Sequence, residues 1–207
     1  RNALEVAGPD FAGRVPPLGN AEGADQATAG DWLLIRQPDG RPERLLERKS
    51  LFKRRAAGTD ARVQLIAANV DTLFVVTSCN MDFNVARLER YLALAREAGV
   101  TPVVVLTKAD LATDTGEYRA RAEKLMPGLL VETLDGRAAD EVKVLAPWCG
   151  KGQTVALVGS SGVGKSTLVN TLTGSDIETA GIREDDAHGR HTTTGRALHR
   201  LPAGGWL

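Results

Sequence analysis

The chain has 207 residues with 26 basic and 26 acidic side chains, so its formal net charge is zero. Apolar residues make up 43% and charged residues 25%, which is typical of a globular protein and excludes wholesale disorder. No apolar run approaches the roughly 18 residues that span a bilayer, so no membrane association is expected. Because Cys79 and Cys149 are too few for a disulfide framework, we expect a cytoplasmic protein.

Residues 1–60 predict a small all-β domain. Glycine and proline are scattered through this region, and the apolar runs between them, such as Trp32 to Ile35, are short. Short apolar runs between turn residues are typical of β-strands. Trp32 and Phe52 could stack on RNA bases, but Trp32 lies within an apolar run and is expected to pack in the core.

Residues 61–207 predict strands that alternate with helices. Apolar runs indicate strands at 73–76, 102–106, 129–131 and 154–158, and helical spacing or composition indicates helices at 83–98, 117–126, 140–145 and 165–172. Asn80 or Asp82 is expected to cap the first helix. This alternation predicts a parallel sheet covered by helices on both faces.

The strongest motif is G-x-x-x-x-G-K-S, between the last predicted strand and the last predicted helix. Glycines allow the loop to present its N–H groups to phosphate oxygens, and the helix directs its positive end at the same anion. Lys165 is expected to reach the β- and γ-phosphates, and Ser166 to ligate Mg²⁺. The predicted phosphate-binding residues are Gly159, Ser160, Ser161, Gly162, Val163, Gly164, Lys165, Ser166 and Thr167.

A second motif, Thr107-Lys108-Ala109-Asp110, directly follows a predicted strand. The Asp110 carboxylate can accept hydrogen bonds from N1–H and the 2-amino group of guanine, and adenine lacks both donors. The Lys108 stem can cover the face of the base. In ordinary GTPases the phosphate loop precedes the base motif, whereas here it follows, and a circular permutation explains this order.

Together these features resemble the RsgA (YjeQ) family, bacterial GTPases that depend on the small ribosomal subunit. The resemblance implies an N-terminal OB-fold at 1–60, a circularly permuted P-loop GTPase domain at 61–207, and a zinc-binding C-terminal domain outside this chain. Because the chain starts at Arg1 and stops inside an apolar stretch, a fragment is expected. Besides the two motifs, the resemblance rests on the strings Gly30-Asp31-Trp32, Ala67-Ala68-Asn69-Val70-Asp71, Arg87-Leu88-Glu89-Arg90-Tyr91-Leu92 and Gly189-Arg190-His191-Thr192-Thr193-Thr194.

The resemblance also implies an activity, which is GTP hydrolysis stimulated by the 30S subunit during its late maturation. Its implied ligands are GTP or GDP and Mg²⁺, with Zn²⁺ only in the absent domain. Its implied partners are the 30S subunit and 16S rRNA, bound by a monomer. Thr192, Thr193 and Thr194 match the family's switch I threonines. Thr193 is expected to meet Mg²⁺ and the γ-phosphate, and joins Lys165 and Ser166 as the expected catalytic set.

Two features depart from the family pattern. Family members usually carry a Ser-Ala-type element beside the base, where this chain has Glu132-Thr133-Leu134-Asp135-Gly136. The D-x-P-G element expected after a strand near 198–201 is missing.

His188 and His191 are expected to be solvated residues of the switch loop rather than catalytic bases.

Two other functions stay open from the residues alone. One is an RNA-binding module whose nucleotide site only switches its conformation, and the other is an ATP-dependent P-loop enzyme, which Asp110 disfavours. The zero net charge does not exclude RNA, because residues 41–62 carry eight basic and three acidic side chains, a net of +5. This basic segment could dock a phosphate backbone.

Overall fold

The computed structural model describes residues 3–8, 10–19, 23–36, 39–55, 63–175 and 198–207. The chain divides into two compact units, Arg1–Asn69 and Val70–Leu207. This division falls later than residue 60 because the strand at Val63–Ala68 pairs with Leu51–Arg55 inside the first unit. Among the described residues, no helix is long and apolar enough to cross a membrane.

The N-terminal unit, Arg1–Asn69, is built from antiparallel strand pairs. A 3₁₀ turn at Gly23–Asp25 precedes the second pair. The described part of this unit is otherwise strand and loop, as its scattered glycine and proline predict. The pairs are β1 (Leu4–Ala7) with β2 (Ala12–Val15), β3 (Leu33–Arg36) with β4 (Arg41–Leu45), and β5 (Leu51–Arg55) with β6 (Val63–Ala68).

Buried polar contacts hold the loops of this unit against β6. Gly30 has a φ of +87°, and a Cβ there would collide with the carbonyl oxygen of Ala68. Asn69 Nδ2 donates to the Gly30 carbonyl at 2.9 Å, and Asn69 Oδ1 accepts from the Lys49 N–H at 2.9 Å. Arg48 makes a two-pronged ion pair with Asp31, 2.7 Å at each contact.

The expected core position of Trp32 is wrong. Trp32 is 61% exposed, whereas Phe52 is only 4% exposed and packs in the core. Trp32 lies just before β3, where exposed and half-buried residues alternate along the strand. Because side chains of an extended chain alternate between faces, an apolar run on a two-faced sheet leaves every second residue outside.

The C-terminal unit, Val70–Leu207, contains the predicted parallel sheet. Its strands are β7 (Thr72–Ser78), β8 (Thr101–Thr107), β9 (Leu130–Thr133) and β10 (Val155–Val158), hydrogen-bonded in the order β10-β7-β8-β9. Its helices are α1 (Val85–Ala98), α2 (Gly116–Glu123), α3 (Ala139–Val142) and α4 (Lys165–Thr173). A 3₁₀ turn at Ala109–Leu111 follows β8, and a 3₁₀ helix at Lys143–Trp148 continues α3.

The strand order places helices on both faces of the sheet. The steps β7 to β8 to β9 run in one direction, and the connection from β9 to β10 returns across the sheet. Right-handed crossovers therefore put α1 and α2 on one face and α3 on the other. Accordingly, α1 contacts β7 and β8, while α2 contacts β8 and β9. On the face of α3 and α4, the core includes Phe74, Val105, Leu145 and Leu168.

The start of α1 differs from the predicted cap. Asn84 caps this helix, because its Oδ1 accepts from the Arg87 N–H at 2.9 Å. Asn80 instead closes the preceding turn, where its Oδ1 accepts from the Ser78 hydroxyl at 2.8 Å and the Asp82 N–H at 2.9 Å. The helix begins at Val85 because the capping side chain lies immediately before it.

The last described segment extends the sheet beyond β10. His199 and Leu207 exchange backbone hydrogen bonds of 2.7 and 2.8 Å, which closes a hairpin. The Trp206 N–H donates to the Gln153 carbonyl at 2.9 Å, and the Val155 N–H donates to the Trp206 carbonyl at 2.8 Å. Trp206 thus lies along the free edge of β10, in parallel register with Thr154.

Candidate nucleotide-binding site

Both sequence motifs lie at the carboxyl edge of the parallel sheet. The phosphate loop follows β10 and the base motif follows β8, with β7 between these two strands. Because parallel strands end at the same edge, residues distant in sequence come together there. This edge is where open α/β sheets bind ligands, so the topology assembles the two motifs into one candidate site.

Glycine is required at the start of the phosphate loop by close packing. Gly159 has a φ of +151°, and a Cβ there would collide with the backbone carbonyl oxygen of Val76 in β7. Gly164 has a φ of +95° and is the N-cap of α4. Any side chain at Gly159 would force the loop away from the sheet, so this backbone path excludes other residues.

Lys165 lies back over its own loop. Its Nζ donates to the carbonyl oxygens of Gly159 and Ser160, each at 2.5 Å. An ammonium group with three donors can exchange such carbonyl contacts for phosphate oxygens. Ser166 follows in the first turn of α4 and is half-buried. The Lys165 ammonium and the N-terminus of α4 therefore lie together at the phosphate loop.

Thr107 joins the base motif to the phosphate loop. Its hydroxyl donates to the carbonyl oxygen of Val163 at 2.5 Å, and it also lies 3.1 Å from the carbonyl oxygen of Thr77. The residue is only 2% exposed. A buried hydrogen bond between two loops fixes their separation, so the phosphate loop and the base motif are held at a defined distance.

The base motif turns sharply after β8. Lys108 has a φ of +56°, in the left-handed region that few residues other than glycine adopt. Ala109–Leu111 then forms a 3₁₀ turn that carries Asp110 at its second position. The Asp110 side chain is 29% exposed and accepts a hydrogen bond from Arg137 at 2.7 Å. Strained backbone of this kind is often found at binding sites.

The loop after β9, residues 134–137, lies beside the base motif. The Leu134 N–H donates to the Leu106 carbonyl at 2.9 Å, and the Ala109 N–H donates to the Leu134 carbonyl at 3.4 Å. Sequence reasoning noted the unusual residues here but missed Arg137. Arg137 lies two residues after Asp135, in a loop that follows a strand of the same sheet. This position was the signal from which its place near the base motif could have been predicted.

The donors at this edge are compatible with Mg²⁺. In phosphate-binding sites, Mg²⁺ is held largely by phosphates and waters, with only one or two protein oxygens. The Ser166 hydroxyl has the chemistry of such a ligand. In the described part of the chain, no three His, Cys, Asp or Glu side chains gather into a metal site.

The predicted Thr192, Thr193 and Thr194, with His188 and His191, lie outside the described residues.

Neither cysteine is placed for metal or redox chemistry. Cys79 and Cys149 are both free and buried. Burial raises the pKa of each thiol to about 11. A buried thiol with a raised pKa is a poor ligand and a poor nucleophile, so both side chains act as small apolar groups.

The fold and the two joined motifs define a P-loop nucleotide-binding protein whose base motif precedes its phosphate loop. The RsgA GTPase family matches residues 45–207, and the chain belongs to this family. It is 57% identical over 193 residues to the small ribosomal subunit biogenesis GTPase RsgA of Mesorhizobium japonicum, covering 89% of this chain and 56% of that protein. It is 56% identical over 181 residues to small ribosomal subunit biogenesis GTPase RsgA 2 of Vibrio parahaemolyticus serotype O3:K6, covering 87% and 50%. The chain thus spans about half the length of the curated relatives it matches.

Solved structures share the fold at low sequence identity. YjeQ from Thermotoga maritima matches with a TM-score of 0.68 and 22% identity, over 99% of this chain and 69% of that one. YloQ, described as a circularly permuted GTPase, matches with a TM-score of 0.61 and 18% identity, over 99% and 64%. The fold of this chain is therefore that of a circularly permuted GTPase.

Proposed function

We propose that this protein is a GTPase that binds the small ribosomal subunit and hydrolyses GTP during late maturation of that subunit. The observation that carries the proposal is the buried hydrogen bond from Thr107 to Val163, which joins a guanine-type base motif to a phosphate loop. Membership of the RsgA GTPase family supports it, as do relatives named small ribosomal subunit biogenesis GTPases.

Guanine selection rests on Asp110 in this proposal. Its carboxylate accepts from N1–H and the 2-amino group of guanine, and adenine has neither donor. Lys108, whose left-handed backbone directs the chain into the 3₁₀ turn, covers the base with its methylene stem. Thr107 holds this motif on the phosphate loop, so base and phosphates are recognised at one fixed spacing.

Phosphate binding and hydrolysis rest on the loop from Gly159 to Thr167. Its backbone N–H groups and the N-terminus of α4 surround the phosphates. Lys165 exchanges its carbonyl contacts for β- and γ-phosphate oxygens, where it stabilises charge that develops during transfer. Bound Mg²⁺ supplies further charge neutralisation, and Ser166 would hold it. Thr193 is proposed as the second protein oxygen at Mg²⁺ and the γ-phosphate.

The ribosomal partner is proposed to contact the N-terminal unit, which we assign as an OB-fold. Where the structure describes side chains of the segment 41–62, the exposed basic ones are Arg41, Arg44, Lys49 and Lys53. Arg48 is a different case, because Asp31 neutralises it inside the unit. Exposed Trp32, in the same unit, offers a stacking surface. A basic surface with an aromatic side chain suits an rRNA backbone with unpaired bases, here 16S rRNA.

Three further assignments complete the proposal. The protein acts as a monomer in the cytoplasm. Zn²⁺ is assigned only to the C-terminal domain that the family resemblance implies. The RNA-binding module without catalysis is the competing function, and measured turnover separates the two.

Base choice is tested by nucleotide affinity. GDP is expected to bind at least about tenfold more tightly than ADP, because guanine donates to the Asp110 carboxylate and adenine cannot, and a hydrogen bond to a charged group contributes about 1.5–3 kcal/mol. Asp110→Asn is expected to shift the preference toward xanthosine diphosphate, whose 2-oxo group suits an amide donor. Equal affinities for GDP and ADP, or an unchanged preference in Asp110→Asn, contradict the proposal.

Turnover is tested by GTP hydrolysis with and without 30S subunits. Stimulation by 30S is expected, and it should be lost in Lys165→Ala, since removing a charged donor to phosphate costs about 1.5–3 kcal/mol. Lys124→Ala, at an exposed position after α2, is the matched control. Turnover that survives Lys165→Ala would show that the phosphate loop does not carry the reaction. Guanine-specific binding without any turnover would favour the switch-only module.

A further inference from the structure

Arg137 connects the base motif to the loop after β9. Its Nη2 lies 2.7 Å from Oδ2 of Asp110 and 3.0 Å from Oδ2 of Asp135. Neither sequence motif includes this arginine. We propose that Arg137 is a positioning residue for guanine selection, because it holds the Asp110 carboxylate in the orientation that reads the base. This inference rests on the proposed function, since it requires Asp110 to contact guanine.

Arg137 is anchored independently of Asp110. Its Nε donates to Oδ1 of Asp135 at 3.1 Å, and its backbone N–H donates to the same oxygen at 2.9 Å. Asp135 is only 17% exposed, and its own N–H donates to Oε2 of Glu141 at 2.7 Å. The hydrogen bond from the Arg137 side chain lowers the pKa of Asp135, so this anchor stays ionised. The guanidinium is therefore held by several contacts that do not involve Asp110.

The anchoring loop is attached to the phosphate helix as well. The Thr171 hydroxyl, on α4, donates to the Gly136 carbonyl at 2.7 Å. On the other side, Leu134 accepts from the Ala109 N–H of the base motif at 3.4 Å. Because the loop is bonded to both halves of the site, Arg137 is held in register with the phosphate loop as well as with Asp110.

The contact leaves Asp110 able to bind a base. An ionised carboxylate offers about four lone-pair sites, and guanine needs two of them. Arg137 donates one hydrogen bond to Asp110, and Oδ2 accepts it. The Asp110 side chain is 29% exposed, so a ligand can reach it. Arg137 can therefore stay in place while guanine binds, which makes it a support for Asp110 and not an obstruction.

The test measures the GDP and ADP affinities of the full chain and its variants by titration calorimetry. Arg137→Ala is expected to weaken GDP binding by about threefold and leave ADP binding unchanged, as for loss of one exposed ion pair. In an Asp110→Ala background, Arg137→Ala should have no further effect on GDP. Arg119→Ala is the matched control, because it removes an equal charge from an exposed pair with Glu123 at 2.8 Å.

The outcomes separate the two proposals. If Asp110→Ala leaves the GDP to ADP ratio unchanged, the base-reading function itself fails. If Asp110→Ala abolishes the ratio but Arg137→Ala leaves it intact, only the role of Arg137 is overturned. Equal weakening of GDP and ADP by Arg137→Ala indicates a purely structural loop residue, and tighter GDP binding indicates an obstruction. Either of these two results also overturns the inference.

Discussion

The hydroxyl of Thr107 donates to the carbonyl oxygen of Val163 across 2.5 Å, and the two residues are 56 positions apart in the chain. Thr107 ends β8, and Val163 lies within the phosphate loop after β10. One hydrogen bond therefore links the base motif to the phosphate loop. The first residue of the base motif is thus bonded directly to the phosphate loop.

Thr107→Val should weaken the contact between the base motif and the phosphate loop. Valine keeps the shape but leaves the Val163 carbonyl without this donor, which costs about 1–3 kcal/mol. We expect a lower free energy of unfolding in urea, and weaker binding of both GDP and ADP because the phosphate loop shifts. Thr101→Val, at the exposed start of β8, is the control and should change neither. Unaltered nucleotide binding in Thr107→Val would contradict a positioning role.

Gly159→Ala should disrupt the phosphate loop directly. The added Cβ would collide with the backbone carbonyl oxygen of Val76, which cannot move without breaking the sheet. We expect loss of nucleotide binding by at least about tenfold and a lower melting temperature, since overpacking against backbone costs about 1–3 kcal/mol. Gly150→Ala tests the substitution itself, because a Cβ at Gly150 meets no atom within 4 Å. Similar behaviour of the two variants would show that the close approach to β7 does not matter.

Arg48→Met should destabilise the N-terminal unit. It removes the charged partner of Asp31, whose Oδ2 also accepts from the Thr28 N–H at 2.7 Å. The Asp31 side chain is 2% exposed and the Arg48 side chain is 12% exposed. An unpaired buried carboxylate is costly, so the free energy of unfolding should fall by about 3 kcal/mol. Urea unfolding of Arg48→Met and of Arg48→Met with Asp31→Asn measures this, and the second change should recover part of the loss.

The control for Arg48→Met is Arg36→Met, which breaks an exposed ion pair. Arg36 lies 2.5 Å from Asp39, but both side chains are exposed, at 50% and 38%. Solvent screens such a pair, so little change is expected. Equal losses at Arg48 and Arg36 would mean that burial of the Asp31 carboxylate does not set the cost.

Cys79 and Cys149 should be unreactive in the native protein. With a pKa of about 11, only about one thiol in a thousand is ionised at pH 8. We expect no modification by a thiol-specific disulfide reagent until the protein is unfolded in denaturant, after which two thiols react. Rapid modification of the folded protein, without loss of structure by circular dichroism, would contradict the burial of these side chains.

Much of the C-terminal unit follows from local pattern. The runs around β7, β8 and β10 are apolar and β-branched, and such short runs are stable only as buried strands. Gly159 and Gly164 both have positive φ, a conformation that glycine adopts readily, so the sequence marks where this loop can turn. The parallel sheet and the positions of both motifs after its strands could therefore be predicted from the residues.

The N-terminal unit shows where local pattern is insufficient. Trp32 lies in an apolar run, yet it is 61% exposed, because the alternation of an extended chain is meaningful only once the covered face is known. Likewise, the charge of Arg48 suggested a place on the basic surface, whereas Asp31 binds it inside the unit. Both facts depend on contacts between segments distant in sequence.

By itself, the sequence determined the chemistry of this protein: a phosphate loop, a guanine-type aspartate and a permuted order of the two. Only the tertiary structure decided how these parts are joined. Thr107 bonds to Val163, and Arg137 bonds to Asp110 at 2.7 Å. The partners in each pair are far apart in the sequence, so no local pattern predicts these contacts. The physical reason is that residue types and spacing specify local conformation, whereas the partner of a side chain depends on which strands become neighbours in the sheet.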